Sequence, residues 1–411
     1  MSEPALDSLS TVATDTVVMK FGGTSVGDPE KLRRVAERLV SAHERGDRVV
    51  GVLSAMGDST DDLVALALQV SARPKPRALD MLISVGERIS GALAEMAIHD
   101  LGHEAISLTG SQAGIVTDTF HGKAKIVDVR ARRVNEALDE GKIVLVAGFQ
   151  GVSTTYDITT LGRGGSDTTA VALAAALGAK ACEIYTDVEG VFTADPRVVP
   201  SARKLDVVSY DEMVELAASG ARVLQLRSVE FARNNSVKLH VRSTFCEADG
   251  TWIVEEDERM LERPIVAGVA HTADETLYRA EGVRPAELFS ALAEASVSID
   301  TVVQTGPEIV FSVPASDRLE VAAILERLGA RWSTRDDLGK VSVVGTGING
   351  DAGIAAATLT ALADEGIEAH VVTTSPMKIA CHVAREDVER AVRVVHDALE
   401  LGTRVEESAH A

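Results

Sequence analysis

The chain reads as an α/β protein: a mainly parallel sheet sandwiched by helices, followed by two small α+β modules. Three observations predict this. Strand-like and helix-like apolar patterns alternate from residue 16 to about residue 244, and strands joined by helical crossovers form parallel sheets covered on both faces. The interior is aliphatic, since hydrophobic residues make up 45% of the chain and aromatic ones only 3%, a usage that suits packed α/β layers. Beyond residue 260 a weak repeat recurs at an offset of 70 residues, which marks a unit present twice.

The elements follow in order. Residues 17–20 form the first predicted strand, and Pro29 opens a helix with Leu32, Val35, Ala36 and Leu39 on one face. Residues 49–54 give the second strand, and Leu82, Ile83, Ile89, Leu93 and Met96 a second apolar helical face. Strands at 105–108, 143–147, 183–186 and 237–241 complete the alternation, with a small-residue helix at 170–177. The acidic run 255–259 then reads as a solvated linker. After it, Ala291-Leu292-Ala293 is matched by Ala361-Leu362-Ala363, Val302-Val303 by Val372-Thr373, Ile309 by Ile379 and Val313 by Val383. Each copy reads strand, helix, strand, strand, helix, a module equally suited to scaffold or ligand sensor. The expected boundaries are a tail at 1–15, a first domain at 16–250, a linker at 251–263, and modules at 264–339 and 340–404.

Composition narrows the function. A formal charge of −21 argues against nucleic-acid and anionic-membrane partners. Apolar runs stay well short of the roughly 20 residues that cross a bilayer, and residues 1–14 lack the basic start and apolar core of a signal peptide. The expected location is cytoplasmic. Cys182, Cys246 and Cys381 are odd in number and widely spaced, favouring reduced thiols over disulfides or zinc.

Chemistry concentrates at the carboxyl ends of predicted strands, where α/β sheets bind ligands. Lys20-Phe21-Gly22-Gly23-Thr24-Ser25 places two glycines beside a cation and two hydroxyls. Backbone N–H groups there can turn toward an anion with no Cβ in the way. The segment matches neither the Walker loop nor G-x-G-x-x-G, and a tight strand-to-helix turn fits it equally well. Leu161-Gly162-Arg163-Gly164-Gly165-Ser166-Asp167 is the second dense segment. Arg163 can hold a carboxylate through two parallel N–H bonds, while Ser166 or Asp167 can cap the following helix or Asp167 meet an amino group. A capped helix after a glycine turn leaves Arg163 unexplained. Residues 185–197 carry acids, hydroxyls and a terminal arginine suited to ribose, base and phosphate, although Asp195-Pro196 is also an ordinary turn signal. Glu87, after Gly86 at a helix start, suits an ammonium group or plain solvation.

Lys20 to Val26, Ser54-Ala55-Met56-Gly57 with Thr60, Gly86-Glu87-Arg88, Gly148-Phe149-Gln150-Gly151, the segment from Leu161 to Asp167 and that from Thr186 to Arg197 together resemble the aspartate kinases in order and spacing. The C-terminal repeat resembles that family's paired ACT modules. The resemblance implies an amino-acid kinase fold and transfer of the γ-phosphoryl of ATP to the β-carboxylate of L-aspartate, the first step toward lysine, threonine and methionine. It implies that Lys20 stabilises the transferred phosphoryl and that Gly22, Gly23, Thr24 and Ser25 face the phosphates of ATP. Glu87 and Asp167 would meet the amino group, Arg163 and Ser166 the α-carboxylate with Gly164 and Gly165 beside them, and Ser54 and Thr60 would line the same pocket. Thr186, Asp187, Phe192, Arg197 and Arg222 would line the ATP site. Mg²⁺ would arrive with ATP, without a dedicated metal cage.

Several positions depart from that family. Phe192 stands where many members have tyrosine, and Arg222 where many have lysine, which keeps charge but not shape. Gly282-Val283-Arg284-Pro285-Ala286 shortens the effector turn of the first module, and Asp351-Ala352-Gly353 loses the proline of the second. Asp300 and Gln304 remain where an effector would be met, and Pro376, after Thr374 and Ser375, replaces a frequent glutamate. The expectation is that inhibition by lysine or threonine is weakened, altered or absent, and that the modules pair subunits into a homodimer or higher homo-oligomer. Two other readings compete. A kinase of another small amino acid or carboxylate is disfavoured by Arg163 and Glu87, and a non-catalytic amino-acid sensor by Lys20, Arg163 and Asp167. Whether Met260 begins a separate regulatory subunit stays open.

Overall fold

A computed structural model describes residues 14–256 and 265–403. Of the tail expected at 1–15, residues 1–13 lie outside the described residues, as do the middle of the linker and Met260, while residues 14 and 15 already belong to the first strand. The chain divides into two compact units, one of Met1–Val191, Asp206–Tyr210 and Val223–Glu256, the other of Phe192–Leu205, Asp211–Arg222 and Asp257–Ala411.

The first unit begins with β1 (Thr14–Phe21), α1 (Pro29–Glu44), β2 (Arg48–Leu53), α2 (Ser59–Val70), α3 (Pro76–Ile83), α4 (Gly86–Asp100) and β3 (Ala105–Leu108). It continues through β4 (Ile115–Thr117), β5 (Ile126–Val129), α5 (Arg132–Asp139), β6 (Ile143–Ala147), β7 (Gln150–Ser153), β8 (Ile158–Thr160), α6 (Gly165–Leu177) and β9 (Ala179–Thr186). After β10 (Val207–Ser209) comes α7 (Tyr210–Ala218), which from Asp211 on belongs to the second unit, and then α8 (Leu226–Asn234), β11 (Leu239–Ser243) and β12 (Thr251–Val254) of the first. Eight strands form one sheet in the order β10-β12-β11-β9-β1-β2-β6-β3, and every pairing is parallel except β11 with β12. The sheet is therefore mainly parallel, as the alternation predicts. A side sheet, β5-β4-β7-β8, has no counterpart in the sequence reading, because three- and four-residue strands carry too little periodicity to register.

Local chemistry explains the boundaries. Asp28 caps α1 by accepting the Lys31 N–H at 2.9 Å, and Pro29 fills the first helical position, where its missing N–H costs nothing. Leu32, Val35, Ala36 and Leu39 pack on Val17, Met19 and Phe21 of β1. The second predicted helical face is corrected by the structure. Leu82 and Ile83 belong to α3, whereas Ile89, Leu93 and Met96 of α4 are 49%, 39% and 61% exposed. The helix instead buries Gly86, Glu87, Ser90, Gly91, Ala94 and Ile98. Close approach is the reason, since a Cβ on Gly91 would lie 2.5 Å from the Ser107 hydroxyl of β3.

The second unit contains β13 (Gly268–Thr272), β14 (Glu275–Glu281), α9 (Pro285–Glu294), β15 (Val302–Thr305), β16 (Glu308–Pro314), α10 (Arg318–Arg327) and β17 (Arg331–Arg335). Then come β18 (Leu338–Val344), α11 (Ala352–Asp364), β19 (Val371–Ser375), β20 (Lys378–Ala384) and α12 (Val388–Ala398). The strand, helix, strand, strand, helix pattern occurs twice, on antiparallel sheets ordered β15-β16-β14-β17 and β13-β18-β20-β19. Residues 192–205 join this unit: Ala194, Val198, Val199 and Ala202 lie in one core with Val341, Val343, Val392 and Val395. No helix among the described residues is long and apolar enough to cross a membrane.

Candidate active site

Four segments meet at the carboxyl ends of β1, β2, β6 and the start of α6. Lys20 sits opposite Val52 of β2 and Ile184 of β9, in the middle of the sheet. Its ammonium lies 2.6 Å from Asp167 Oδ1 in the first turn of α6, with both side chains largely buried. The glycine loop packs against the neighbouring loop through backbone alone. A Cβ on Gly23 would come within 3.1 and 3.2 Å of the Ala55 and Gly57 carbonyl oxygens, and one on Gly22 within 3.5 Å of the Lys20 ammonium. The Gly57 N–H donates to the Gly23 carbonyl at 3.1 Å, which locks the two loops together. Residues 23–26 make a single 3₁₀ turn, whose first N–H groups have no acceptor inside the turn. Thr24 is exposed, whereas Ser25 is buried and shares a 2.7 Å hydroxyl bond with Thr244, fastening the loop to the end of β11.

The acceptor side is built from α4 and α6. Glu87 is buried, and the N–H groups of Ala55 and of Glu87 itself donate to its carboxylate. Burial pushes this carboxyl up to about 7, because the charged form loses water. Its Oε2 has no hydrogen-bond partner among the described residues. Gly86 permits this placement, as a Cβ there would lie 2.7 Å from that of Ala55. Thr60, in the first turn of α2, approaches the same point, and Ser54 is fixed by its N–H to the Phe21 carbonyl at 3.1 Å. Gly164 is left-handed, with φ of 72°, and starts α6 with Gly165, Ser166 and Asp167 buried behind it. Gly148 backs onto Ser166, since a Cβ would meet that side chain at 2.7 Å. Arg163 is exposed and makes no hydrogen bond or ion pair among the described residues. The arrangement presents a cation over a glycine loop, an unengaged guanidinium at a helix start and an unsatisfied carboxylate oxygen.

Of the residues expected at a nucleotide, Thr186 ends β9 and its hydroxyl donates to Asp187 at 3.1 Å. Phe192, Arg197 and Arg222 belong to the second unit. There Phe192 packs on the core, Arg197 forks onto Asp195, and Arg222 pairs with Asp274 at 2.8 Å. Among the expected effector residues, Asp300 is held by Lys340 and by Lys378, the latter at 3.4 Å. Gln304 donates to the Gly306 carbonyl at 3.3 Å, and Asp351 caps α11 by accepting the Gly353 N–H at 2.8 Å. Thr374 and Ser375 lie on the edge strand β19.

Sequence reasoning missed Asp80, Arg227 and Lys340. Asp80 is 1% exposed and bonded by three donors. The available signal was an acid inside the apolar run Leu79-Asp80-Met81-Leu82-Ile83, since carboxylates are seldom buried unpartnered.

Known proteins resemble this chain over nearly its whole length. The amino acid kinase family profile matches residues 15–243, and an ACT domain profile matches residues 341–399. An aspartokinase of Mycolicibacterium smegmatis is 49% identical over 405 residues, covering 94% of this chain and 96% of the relative. One from Corynebacterium glutamicum is 47% identical with the same coverage, and aspartokinase 2 of Bacillus subtilis is 45% identical, covering 94% and 98%. Among solved structures, E. coli aspartokinase III in complex with aspartate and ADP (R-state) has a TM-score of 0.84 at 25% identity, covering 94% of this chain and all of that one. The same enzyme with lysine and aspartate (T-state) has a TM-score of 0.73, again at 25% identity and with the same coverage.

Proposed function

The chain belongs to the aspartokinases of the amino acid kinase family, and from that membership we propose how its site performs their reaction. The enzyme transfers the γ-phosphoryl group of ATP to the β-carboxylate of L-aspartate, giving 4-phospho-L-aspartate and ADP. The attacking carboxylate has an ordinary pKa of about 3.9, so it is ionised at neutral pH and needs no general base. The obstacle is repulsion between anions, which positioned cations and N–H groups offset. Lys20 stabilises the moving phosphoryl group, and the loop of Gly22, Gly23 and Thr24 holds the nucleotide phosphates, with Ser25 anchoring it from behind. Arg163, with Ser166 at the start of α6, grips the α-carboxylate. Glu87 and Asp167 receive the ammonium, and Ser54 and Thr60 close the pocket. This orientation turns the β-carboxylate toward the phosphoryl group, where proximity supplies much of the rate. Thr186 and Asp187, at the carboxyl end of β9, are assigned to the nucleotide. When bound, Mg²⁺ would ride on the ATP phosphates and neutralise part of their charge, while Lys20 and the glycine-loop N–H groups would meet the phosphate oxygens.

The observation that carries this reading is the Lys20 ammonium over the glycine loop, 2.6 Å from Asp167 at the head of the Arg163 helix. ADP release measured with aspartate, glutamate and N-acetylglutamate tests it. Aspartate alone should support turnover, and Lys20→Ala should lower it by about a hundredfold or more while the circular dichroism spectrum stays native. Undiminished aspartate-dependent release in that variant would remove Lys20 from the mechanism.

We assign the product to the biosynthesis of lysine, threonine or methionine, in the cytoplasm, and the second unit to effector response and subunit pairing through its sheet edges. Asp300 is already neutralised by two lysines of its own chain, which supports a weakened or altered response to lysine and threonine. Dose–response curves for the two, alone and together, should show little inhibition at micromolar concentration; strong inhibition there contradicts the reading.

A further inference from the structure

We propose that Asp80 is a positioning residue for the Arg163 clamp: its buried carboxylate ties α3 and the 121–124 loop to the strand that delivers Arg163. This rests on the assignment of Arg163 to the substrate α-carboxylate.

Three donors converge on Asp80. The Thr160 hydroxyl donates to Oδ1 at 2.6 Å, and the Gly122 N–H and His121 Nδ1–H donate to Oδ2 at 3.1 and 2.7 Å. Thr160 ends β8, three residues before Arg163. Its carbonyl accepts the Ala124 N–H at 2.9 Å, so Thr160 is bound from both sides. The next residue is held as well. The Leu161 N–H donates to the Phe149 carbonyl at 2.8 Å, and Arg227 bridges the Leu161 and Ala124 carbonyls at 3.0 and 2.9 Å. Gly162, left-handed with φ of 78°, runs against the Gly122 carbonyl, 3.1 Å from where a Cβ would stand. Beyond these ties Arg163 stands free.

The pattern assigns the work to different groups. A carboxylate accepting three bonds away from water fixes its donors more firmly than a neutral acceptor would. A guanidinium on a long side chain gains selectivity only when its backbone is fixed, and a displacement of about 1 Å at a binding group costs up to a hundredfold in rate. Asp80 does not reach the substrate; it acts through Thr160 and the Arg163 loop.

Steady-state kinetics on the full-length enzyme test this with Thr160→Val, Thr160→Ser, Asp80→Asn, Arg163→Ala and the Thr160→Val/Arg163→Ala double variant. Thr160→Val should raise the KM for aspartate roughly tenfold, with the KM for ATP unchanged and kcat within about threefold, and should lower the thermal midpoint modestly because a buried carboxylate loses a donor. Thr160→Ser, which keeps the hydroxyl, should restore the wild-type value. Asp80→Asn should behave as Thr160→Val does; should it fail to fold, the Thr160 pair decides. In the Arg163→Ala background Thr160→Val should add less than about twofold, because the two act on one contact. Equal rises in both KM values, no rise at all, or full additivity on Arg163→Ala would overturn the proposal. If Arg163→Ala leaves the KM for aspartate unchanged, the assignment of Arg163 itself fails, and the inference fails with it.

Discussion

At the scale of single residues, Glu87 shows how burial prepares a site. Its carboxyl is pushed up to about 7 by desolvation, against an ordinary value near 4.3. The folded chain therefore binds a proton that the unfolded chain has released between about pH 4.5 and 7, and stability falls as pH rises through that window, by about 3 kcal/mol in all. An arriving ammonium favours the ionised form. We expect kcat/KM for aspartate to fall about tenfold per pH unit below pH 7, and Glu87→Gln to lower the plateau and flatten that limb. A pH profile that keeps the limb in Glu87→Gln would assign it to another group. Sequence alone left Glu87 divided between a ligand and a solvated helical acid, because exposure on a helix depends on which face meets the sheet.

At the scale of elements, small residues decide how near the pieces come. The apolar stripe of α4 pointed to Ile89, Leu93 and Met96 as the inner face, yet Gly86 and Gly91 turn the opposite face inward. Two glycines let that helix approach a strand more closely than leucines would, and the approach sets Glu87 beside Ala55. Gly148 plays the same part for α6. Its Cβ would meet Ser166 at 2.7 to 3.0 Å from side chain and backbone alike, so Gly148→Ala must push the head of α6 away from β6. That substitution should lower kcat/KM for aspartate by about tenfold or more while costing only about 1 to 3 kcal/mol of stability. Chemical denaturation beside kinetics checks it, and wild-type kinetics in a correctly folded Gly148→Ala would show that the α6 head can shift without consequence.

At the scale of the whole molecule, the second unit is organised around a buried ionic cluster that no pattern announced. Lys340 of β18 has no exposed side-chain surface and pairs with Glu275 of β14 at 2.5 Å and with Asp300; His382 of β20 meets Glu275 at 3.3 Å. Burial works against the charged form of all three principal groups. Pairing outweighs it: Lys340 is held above its usual range, and Glu275 and Asp300 below theirs. The carboxylates lend stability above about pH 4.5 that disappears as acid titrates them, and the lysine lends stability below about pH 10.5 that is lost in stronger base. Lys340→Met should destabilise the unit by about 3 to 5 kcal/mol by stranding two carboxylates, seen calorimetrically as an earlier transition; an unchanged thermogram would contradict it. The sequence by itself determined the α/β class, the duplicated modules and the reaction class, because period, glycine loops and charged side chains at strand ends are local signals. Tertiary structure decided which face of α4 is inside, that Ser25 turns inward, that Asp80 and Arg227 brace the Arg163 loop, and that Asp300 answers to Lys340 and Lys378. The last three depend on partners between 40 and 219 positions away in the chain, and contacts at that separation leave no periodic trace.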